Sequence, residues 1–241
     1  KELRSELQAL GHRFYSESDT EVIAEGLSAY GPDFFHRFDG MFAIAAYCVP
    51  EQKLYLSRDR FGIKPLYYYF DGRILLFASE IKSILVHPAY RIGVNLSALN
   101  EYFSFQNVFR YHTLFEGIHM LPAANTVFID RNTQTLVHKP WWDYNFTDTE
   151  EGMSFEEAKL ETERLLQKAV SRQMVSDVPV GSYLSGGMDS GAITALASRK
   201  VPRLTTFTCG FDMSSVTGVE ANYDERRDAE LMANSFKTEH Y

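Results

Sequence analysis

The run Ser185-Gly186-Gly187-Met188-Asp189-Ser190 places two hydroxyls, two glycines and a carboxylate within six residues. It falls between residues 180–184, which read as a short buried strand, and residues 191–197, which read as a buried helix. A strand running through two glycines into a helix N-terminus is a phosphate site in outline. Free N–H groups and the positive end of the helix dipole converge there, and the glycines let a ligand approach the backbone. Two familiar fingerprints do not fit: no Lys follows the second glycine, and the Gly-x-Gly-x-x-Gly spacing is absent. The acid is the informative residue. Asp189 would repel phosphates unless a divalent cation lay between them, so the run points to a magnesium-bound pyrophosphate with Asp189 as metal ligand. The plain alternative is a Ser/Gly turn that caps a helix.

Two other stretches are candidates on their charge. Residues 58–68, Arg-Asp-Arg-Phe-Gly-Ile-Lys-Pro-Leu-Tyr-Tyr, make a dense charged turn between apolar strands. Physics alone favours a hairpin corner neutralised by its own ion pairs. Ser18-Asp19-Thr20-Glu21 precedes an apolar helical run, and Ser18 with Glu21 matches a capping box. A helix-capping role is therefore also open to Asp19.

The elements that must carry these stretches fall into two parts. A first helix has Leu3, Leu7 and Leu10 on one face and stops at Gly11. A helix over 22–30 ends at Gly31-Pro32, a short helical turn covers 33–38, and strands follow over 41–48, 54–58, 66–70 and 73–79. The last two flank Asp71-Gly72, a dipeptide suited to a type I′ turn. These strands are apolar at nearly every position, as strands covered on both faces are. Residues 80–86 read as a helix, and 90–146 as a mixed stretch with paired strands at 125–130 and 135–139. The polar, acidic stretch 147–152 is the predicted linker, giving domains 1–150 and 151–241. Ser154 and Glu157 then open a helix carrying Phe155, Ala158, Leu165, Leu166, Ala169 and Met174. Strand 180–184, helix 190–199, strand 204–209 and helix 225–236 alternate as in a parallel α/β sheet. Ligands of such sheets sit beyond the carboxyl ends of the strands, where Ser185 falls.

Composition narrows the classes. The 241 residues, 45% hydrophobic and 14% aromatic, suffice for a sizeable core in one or two domains. No apolar run of membrane-spanning length and no secretory signal is visible, so the chain reads as cytoplasmic, with no membrane partner. A net charge of −8 and a pI near 5.4, without a Lys/Arg cluster, argue against nucleic acid. Cys48 and Cys209 lie in apolar strand-like runs and read as unpaired buried thiols. The chain opens inside a helix without a Met and stops where a further strand should start, so both ends are expected to lie inside a longer protein.

Residues 185–190, with Ser176-Asp177-Val178-Pro179-Val180-Gly181 before them, resemble the pyrophosphate loop of the ATP pyrophosphatases, and most of all the synthetase domain of glutamine-hydrolysing asparagine synthetases. In the first part, Phe38-Asp39-Gly40-Met41-Phe42-Ala43, the stretch 58–68 and Phe77-Ala78-Ser79-Glu80-Ile81-Lys82 are similar to the class II glutamine amidotransferase domain. The resemblance covers most of the chain in the right order. It implies an α+β then α/β fold: an N-terminal-nucleophile hydrolase-type four-layer sandwich, followed by the start of a parallel-sheet ATP-pyrophosphatase domain. It implies that Asp19 binds the α-ammonium group of glutamine. In the second part, Leu184 would offer its backbone to ATP, Ser185, Gly186, Gly187 and Ser190 would cradle the pyrophosphate, and Asp189 would hold Mg2+. Cys209 would stand beside the adenine as a small apolar filler. Gly191 replaces a common second Ser, and Leu121-Pro122-Ala123-Ala124-Asn125 replaces a Pro-Gly turn.

The family's nucleophile is an N-terminal Cys whose α-amino group can act as base. Neither Cys48 nor Cys209 fits that position, so it is expected upstream of Lys1, and the 241-residue polypeptide alone is expected to be inactive. The implied reaction joins the side-chain carboxylate of aspartate to AMP, and ammonia released from glutamine in a closed site displaces it, passing between the domains. The implied partners are glutamine, aspartate and ATP, in an enzyme compatible with a homodimer. Two rivals stand: the same chemistry on another carboxylate such as a cell-surface sugar acid, and a degenerate nucleotide-binding module without a nucleophile.

Overall fold

The computed structural model describes residues 2–109, 111–146, 152–210 and 224–241. The chain divides into two compact units, Lys1–Thr147 and Asp148–Tyr241. Residues 147–151 of the predicted linker lie outside the described residues.

Both sheets of the first unit are antiparallel. Strands β1 (Ala43–Cys48), β2 (Lys53–Arg58), β6 (Asn125–Asp130) and β7 (Thr135–Pro140) form one sheet in the order β1-β2-β6-β7. Strands β3 (Tyr67–Phe70), β4 (Leu75–Ala78) and β5 (Ile118–Met120) form the other in the order β4-β3-β5. Side-chain alternation assigns the faces. Leu56, Val127 and Ile129 of the first sheet meet Leu66, Tyr68 and Leu121 in one core between the sheets. On the opposite face, Ile44 and Tyr55 pack with Phe34, Phe35, Phe38, Leu7 and Trp141. The outer face of the smaller sheet is covered by α3 (Ile81–Leu85), whose Ile84 meets Tyr90 and Ile118. The layers therefore run helix, sheet, sheet, helix. Across the inner core the Tyr68 hydroxyl lies 3.0 Å from His138 Nε2. Burial pushes the phenol up and the imidazole down, which leaves an O–H to donate to a neutral ring nitrogen.

Several local forms depart from the sequence reading. In α1 (Glu2–Ala9) Leu7 is buried and Leu3 packs beside it, but Leu10 lies past the helix end and is exposed. The hairpin after β3 is not a two-residue type I′ turn. Phe70 pairs with Leu75, so the loop has four residues, and the Asp71 carboxylate accepts from the N–H groups of Arg73 and Ile74. The side-chain hydrogen bonds of Asp71 take the place of the tight turn. Helix α4 (Leu96–Phe105) and strand β5 were hidden in the mixed stretch. Of the residues of α4 only Ala98 is buried, and Leu96, Tyr102, Phe103 and Phe105 are exposed.

In the second unit β8 (Gly181–Tyr183), β9 (Thr205–Phe207) and β10 (Glu239–His240) form a parallel sheet in the order β10-β9-β8. Helices α5 (Phe155–Gln173), α6 (Met188–Ser198) and α7 (Arg226–Phe236) connect or flank these strands. The Ser154 capping box forms in full: Ser154 Oγ accepts from the Glu157 N–H, and the Glu157 carboxylate accepts from the Ser154 N–H. Two expectations fail here. Phe155 and Leu165 are exposed, and Val170 is the buried anchor of α5, against Ala197 and Leu204. Strand β8 is not buried, since Tyr183 is 83% exposed; the buried residue is Leu184 just beyond it.

Helix α2 (Asp19–Tyr30) approaches the 3-10 turn Gly31–Arg37 at a glycine. A Cβ at Gly26 would lie 1.8 Å from Cε1 of the fully buried Phe34 ring. Phe34 is itself held by Tyr30 and Phe38 rings at 5.7 and 5.0 Å. Gly26→Ala should therefore destabilise by about 1–3 kcal/mol through overpacking, outweighing a gain of about 1 kcal/mol in helix propensity. Chemical denaturation of the single variant and of its combination with Phe34→Leu checks this. The combination should recover part of the loss, and an unchanged midpoint in Gly26→Ala would show that the ring moves aside.

Candidate functional site

The six-residue run lies after β8, at the carboxyl end of a parallel strand, and leads into α6. Leu184 is 1% exposed and anchored under α7 by Ala229 and Ala233. Its N–H donates to the Phe207 carbonyl at 2.9 Å and its carbonyl accepts from the Thr208 hydroxyl. Gly186 has φ +75°, in the left-handed region, and a Cβ there would meet Asp228 Cβ at 2.8 Å and the Ala229 nitrogen at 3.1 Å. Both conformation and space demand glycine. Gly187 is the N-cap of α6 and caps it with no side chain, so the first-turn N–H groups have no intrahelical acceptor. No side chain of the run caps the helix. Ser190 faces back across the loop: its Oγ accepts from the Ser185 N–H at 3.1 Å, lies 3.0 Å from Ser185 Oγ and donates to the Gly187 carbonyl at 3.2 Å.

Asp189 sits in the first turn of α6 and is exposed, with no ion pair among the described residues. Gly191, where a Ser would be usual by resemblance, is buried, and a Cβ on it would fall 2.9 Å from Met232 Sδ. The departure is thus matched by a long side chain on α7. Cys209 corrects two expectations: it lies past the end of β9 and is exposed. Cys48, at the end of β1, is half-buried against the core, and both cysteines are free.

In the first unit, α2 and β1 border a cleft of about 1220 Å³ lined by Asp19, Ala24, Met41, Lys64 and Ser79 among others. Asp19 is the first residue of α2, and Ser18 is the N-cap, its side chain accepting from the Thr20 N–H at 3.2 Å. The capping alternative for Asp19 is therefore taken by its neighbour. The predicted Ser18–Glu21 box does not form, because Glu21 turns back to accept from Tyr15 N, Ser16 N and Ser16 Oγ at 2.6–2.8 Å. These bonds, the Ser16 hydroxyl first, hold the Glu21 carboxyl below its ordinary range. Arg4 closes the same loop by donating to the carbonyls of Ser16 and Ser18 at 2.6 and 2.9 Å.

The charged corner after β2 is neutralised, but not by ion pairs. Arg58, 7% exposed, donates to the carbonyls of Lys64, Leu121 and Gly62 at 2.5–2.7 Å. Asp59, 1% exposed, accepts N–H groups from Phe61 and Ile63 on Oδ1 and from Phe42 and Lys64 on Oδ2, at 3.0–3.2 Å. Burial alone would raise this carboxyl, and the four amides overcome it, so its pKa is lowered. The stabilisation is then complete above the unfolded value, about 3.9, and is lost as pH falls through the lower folded value. Asp59→Asn sets an amide NH2 against two N–H donors and should cost about 3 kcal/mol. It should also flatten the loss of stability below about pH 4, as read by urea denaturation across pH. A parent whose stability does not fall there would show that the fold does not hold the Asp59 carboxyl below its ordinary range.

Comparison with known proteins matches both units. Residues 1–142 fit a family model described as glutamine amidotransferase domain, and residues 161–241 one described as asparagine synthase. Asparagine synthetase [glutamine-hydrolyzing] 3 of Bacillus subtilis is 37% identical over 199 residues, covering 82% of this chain and 32% of that protein. Asparagine synthetase [glutamine-hydrolyzing] 1 of the same organism is 37% identical over 221 residues, 91% of this chain and 34% of the relative. Amidase chyE of Penicillium rubens is 30% identical over 244 residues, 95% of this chain and 34% of its own length. The chain thus spans about a third of the length of these curated relatives. The first model accounts for more than half of the residues, and the second begins within α5, the first helix of the second unit. The chain belongs to the glutamine amidotransferase family, and residues 161–241 of its second unit match the asparagine synthase model.

Proposed function

We propose that the protein carrying this chain makes asparagine from aspartate, with ATP as activating cosubstrate and glutamine as nitrogen source. A carboxylate is a poor electrophile. Joining the aspartate side chain to the α-phosphorus of ATP forms β-aspartyl-AMP and releases pyrophosphate; ammonia then attacks the acyl carbon and AMP leaves. Glutamine and water supply the ammonia and leave glutamate. The observation that carries this reading is an acid-bearing glycine turn at the end of a parallel strand, in a chain whose other unit is a glutamine amidotransferase domain. The helix, sheet, sheet, helix layering of the first unit fits an N-terminal-nucleophile hydrolase sandwich. The parallel sheet of the second fits the start of an ATP-pyrophosphatase domain.

In this reading the uncapped first turn of α6, Ser185, Gly186, Gly187 and Ser190 hold the pyrophosphate end of ATP. Leu184 and Cys209 flank the rest of the nucleotide, and Cys209, being exposed, would gain its cover from it. The residues present fit Mg2+ as an ion carried in on phosphate. Asp189 offers one free carboxylate, and no cluster of three or more His, Cys, Asp or Glu suited to a metal occurs among the described residues. When bound, the ion would neutralise phosphate charge. Asp19, free of capping and on the wall of a cleft, suits the α-ammonium group of glutamine. A second reading keeps the chemistry and changes the carboxylate acceptor; the relative named an amidase favours keeping it in view.

Product analysis tests the reading: AMP and pyrophosphate should form in step with asparagine, and ADP with phosphate at comparable rates would exclude it. Asp189→Asn should slow ATP–pyrophosphate exchange by on the order of 3 kcal/mol, about a hundredfold or more, while sparing glutamine hydrolysis. Unchanged exchange would remove Asp189 from the metal site.

Asp19→Ala separates the two activities in the other direction. It should weaken glutamine-dependent synthesis while leaving ammonia-dependent synthesis intact. Because Ser18 keeps the cap, stability should drop by no more than about 1 kcal/mol, the worth of a first-turn acid on the helix dipole. An unchanged ratio of the two activities would return Asp19 to a purely structural part.

A further inference from the structure

The Leu184 carbonyl and the Ser185 N–H belong to one peptide group, and both of its polar atoms are held. The carbonyl accepts from the Thr208 hydroxyl, and the N–H donates to Ser190 Oγ at 3.1 Å. The backbone ladder between β8 and β9 ends with the Leu184 N–H on the Phe207 carbonyl. The Thr208 side chain therefore adds one more rung where the strand has stopped and the glycines begin.

Thr208 does not act alone. Its Oγ1 lies 3.4 Å from His240 Nε2, and His240 Nδ1 lies 3.0 Å from Thr206 Oγ1, which is 3.0 Å from Thr238 Oγ1. The directions follow by elimination. A carbonyl can only accept, so Thr208 spends its proton on Leu184 and must accept from His240, which places the ring proton on Nε2. With the ring neutral, Nδ1 then accepts from Thr206, whose oxygen accepts from Thr238. Competing contacts of Thr206 to the Glu239 carbonyl and of Thr238 to the Ala233 carbonyl are longer, at 3.4 Å. Four hydrogen bonds thus run one way, from Thr238 through Thr206, His240 and Thr208 to the Leu184 carbonyl. Thr206 is fully buried on the middle strand, so the relay runs through the interior of the sheet.

We propose that Thr208 and His240 are positioning residues for the nucleotide loop. They fix the plane of the Leu184–Ser185 peptide, and so the direction in which the following glycine turn presents its N–H groups to a phosphate-bearing ligand. The proposal rests on the nucleotide reading of that loop. Without the Thr208 hydroxyl, the peptide next to the glycines can rotate. Without the His240 Nε2 proton, the hydroxyl loses the donor that sets its orientation. The link between them is the longest of the chain, so the Thr208 change should be the more severe.

The test uses the full-length gene product and four variants: Thr208→Val, Thr208→Ser, His240→Ala and His240→Gln. ATP KM and kcat in ATP–pyrophosphate exchange, affinity for a non-hydrolysable ATP analogue, glutaminase rate and thermal midpoint are measured. Thr208→Val should raise the ATP KM by about tenfold, the worth of one well-formed hydrogen bond, and His240→Ala by about threefold. Glutaminase should be unchanged in both. Thr208→Ser, which keeps the hydroxyl, and His240→Gln, which keeps an N–H donor at the same reach, should return the KM to within about twofold of the parent. A merely structural loss would lower the midpoint and all activities together, with no rescue. Wild-type ATP parameters in Thr208→Val overturn the proposal and leave the nucleotide reading standing. Failure of the parent to bind the analogue overturns that reading and the proposal with it. If Thr208→Val does not fold, the His240 pair decides, and equal KM values in His240→Ala and His240→Gln overturn the proposal.

Discussion

A carboxylate taken out of water must be surrounded by donors or be given up, and Asp59 is the place where the first unit meets that demand. Its side chain gathers amides from Phe42, Phe61, Ile63 and Lys64. Its own backbone adds three further ties, the N–H to the Phe42 carbonyl at 3.0 Å and the carbonyl to the N–H groups of Ala124 and Gly62 at 2.9 and 3.1 Å. One residue thus fixes the approach to β1, the exit from β2 and the entry to β6. The corner can carry an acid only if those three segments are in place. Lys64 and Pro65, which the corner delivers, stand on the wall of the same cleft as Asp19. The charge is a constraint on geometry before it is anything else.

Much of this was legible in the residues. Apolar runs gave six of the seven strands of the two sheets to within a few residues, because each sheet is covered on both faces, while β5 stayed hidden in the mixed stretch. The alternation of strand and helix after residue 154 gave the parallel sheet. Ser154 and Glu157 announced a cap that forms as read. What was not legible is where one polar group had several partners to choose from. Glu21 had the spacing of a capping box and found three better donors in Tyr15 and Ser16. Asp71 preceded a glycine and still made a longer loop, because its side chain could bond the next two amides. Arg58 and Asp59 are adjacent opposite charges, and each went to the backbone instead of to the other.

The candidate nucleotide loop shows the same division. The glycines and hydroxyls could be read from spacing alone, since only Gly tolerates the +75° torsion at Gly186 and the contact with α7. Thr208 and His240 could not. One lies just past a strand end and the other 32 residues further on; only the parallel pairing of β9 with β10 brings them together. Nothing in their local sequence marks them, because a threonine beyond a strand and a histidine in a short strand are ordinary on their own.

Helix α2 invites a mechanical description. It is a stiff rod that meets the core ring-to-backbone at Gly26 and carries Asp19 at its N-terminal tip, seven residues away. At 1.5 Å per residue that is an arm of roughly 10 Å. A tilt of about ten degrees at the contact would therefore sweep the tip by roughly 2 Å, more than the misplacement of about 1 Å that costs a positioned group two orders of magnitude in rate. Phe34 serves as the fulcrum. A ring with no chemistry of its own would thereby set the tolerance for the carboxylate at the far end in the role proposed for it.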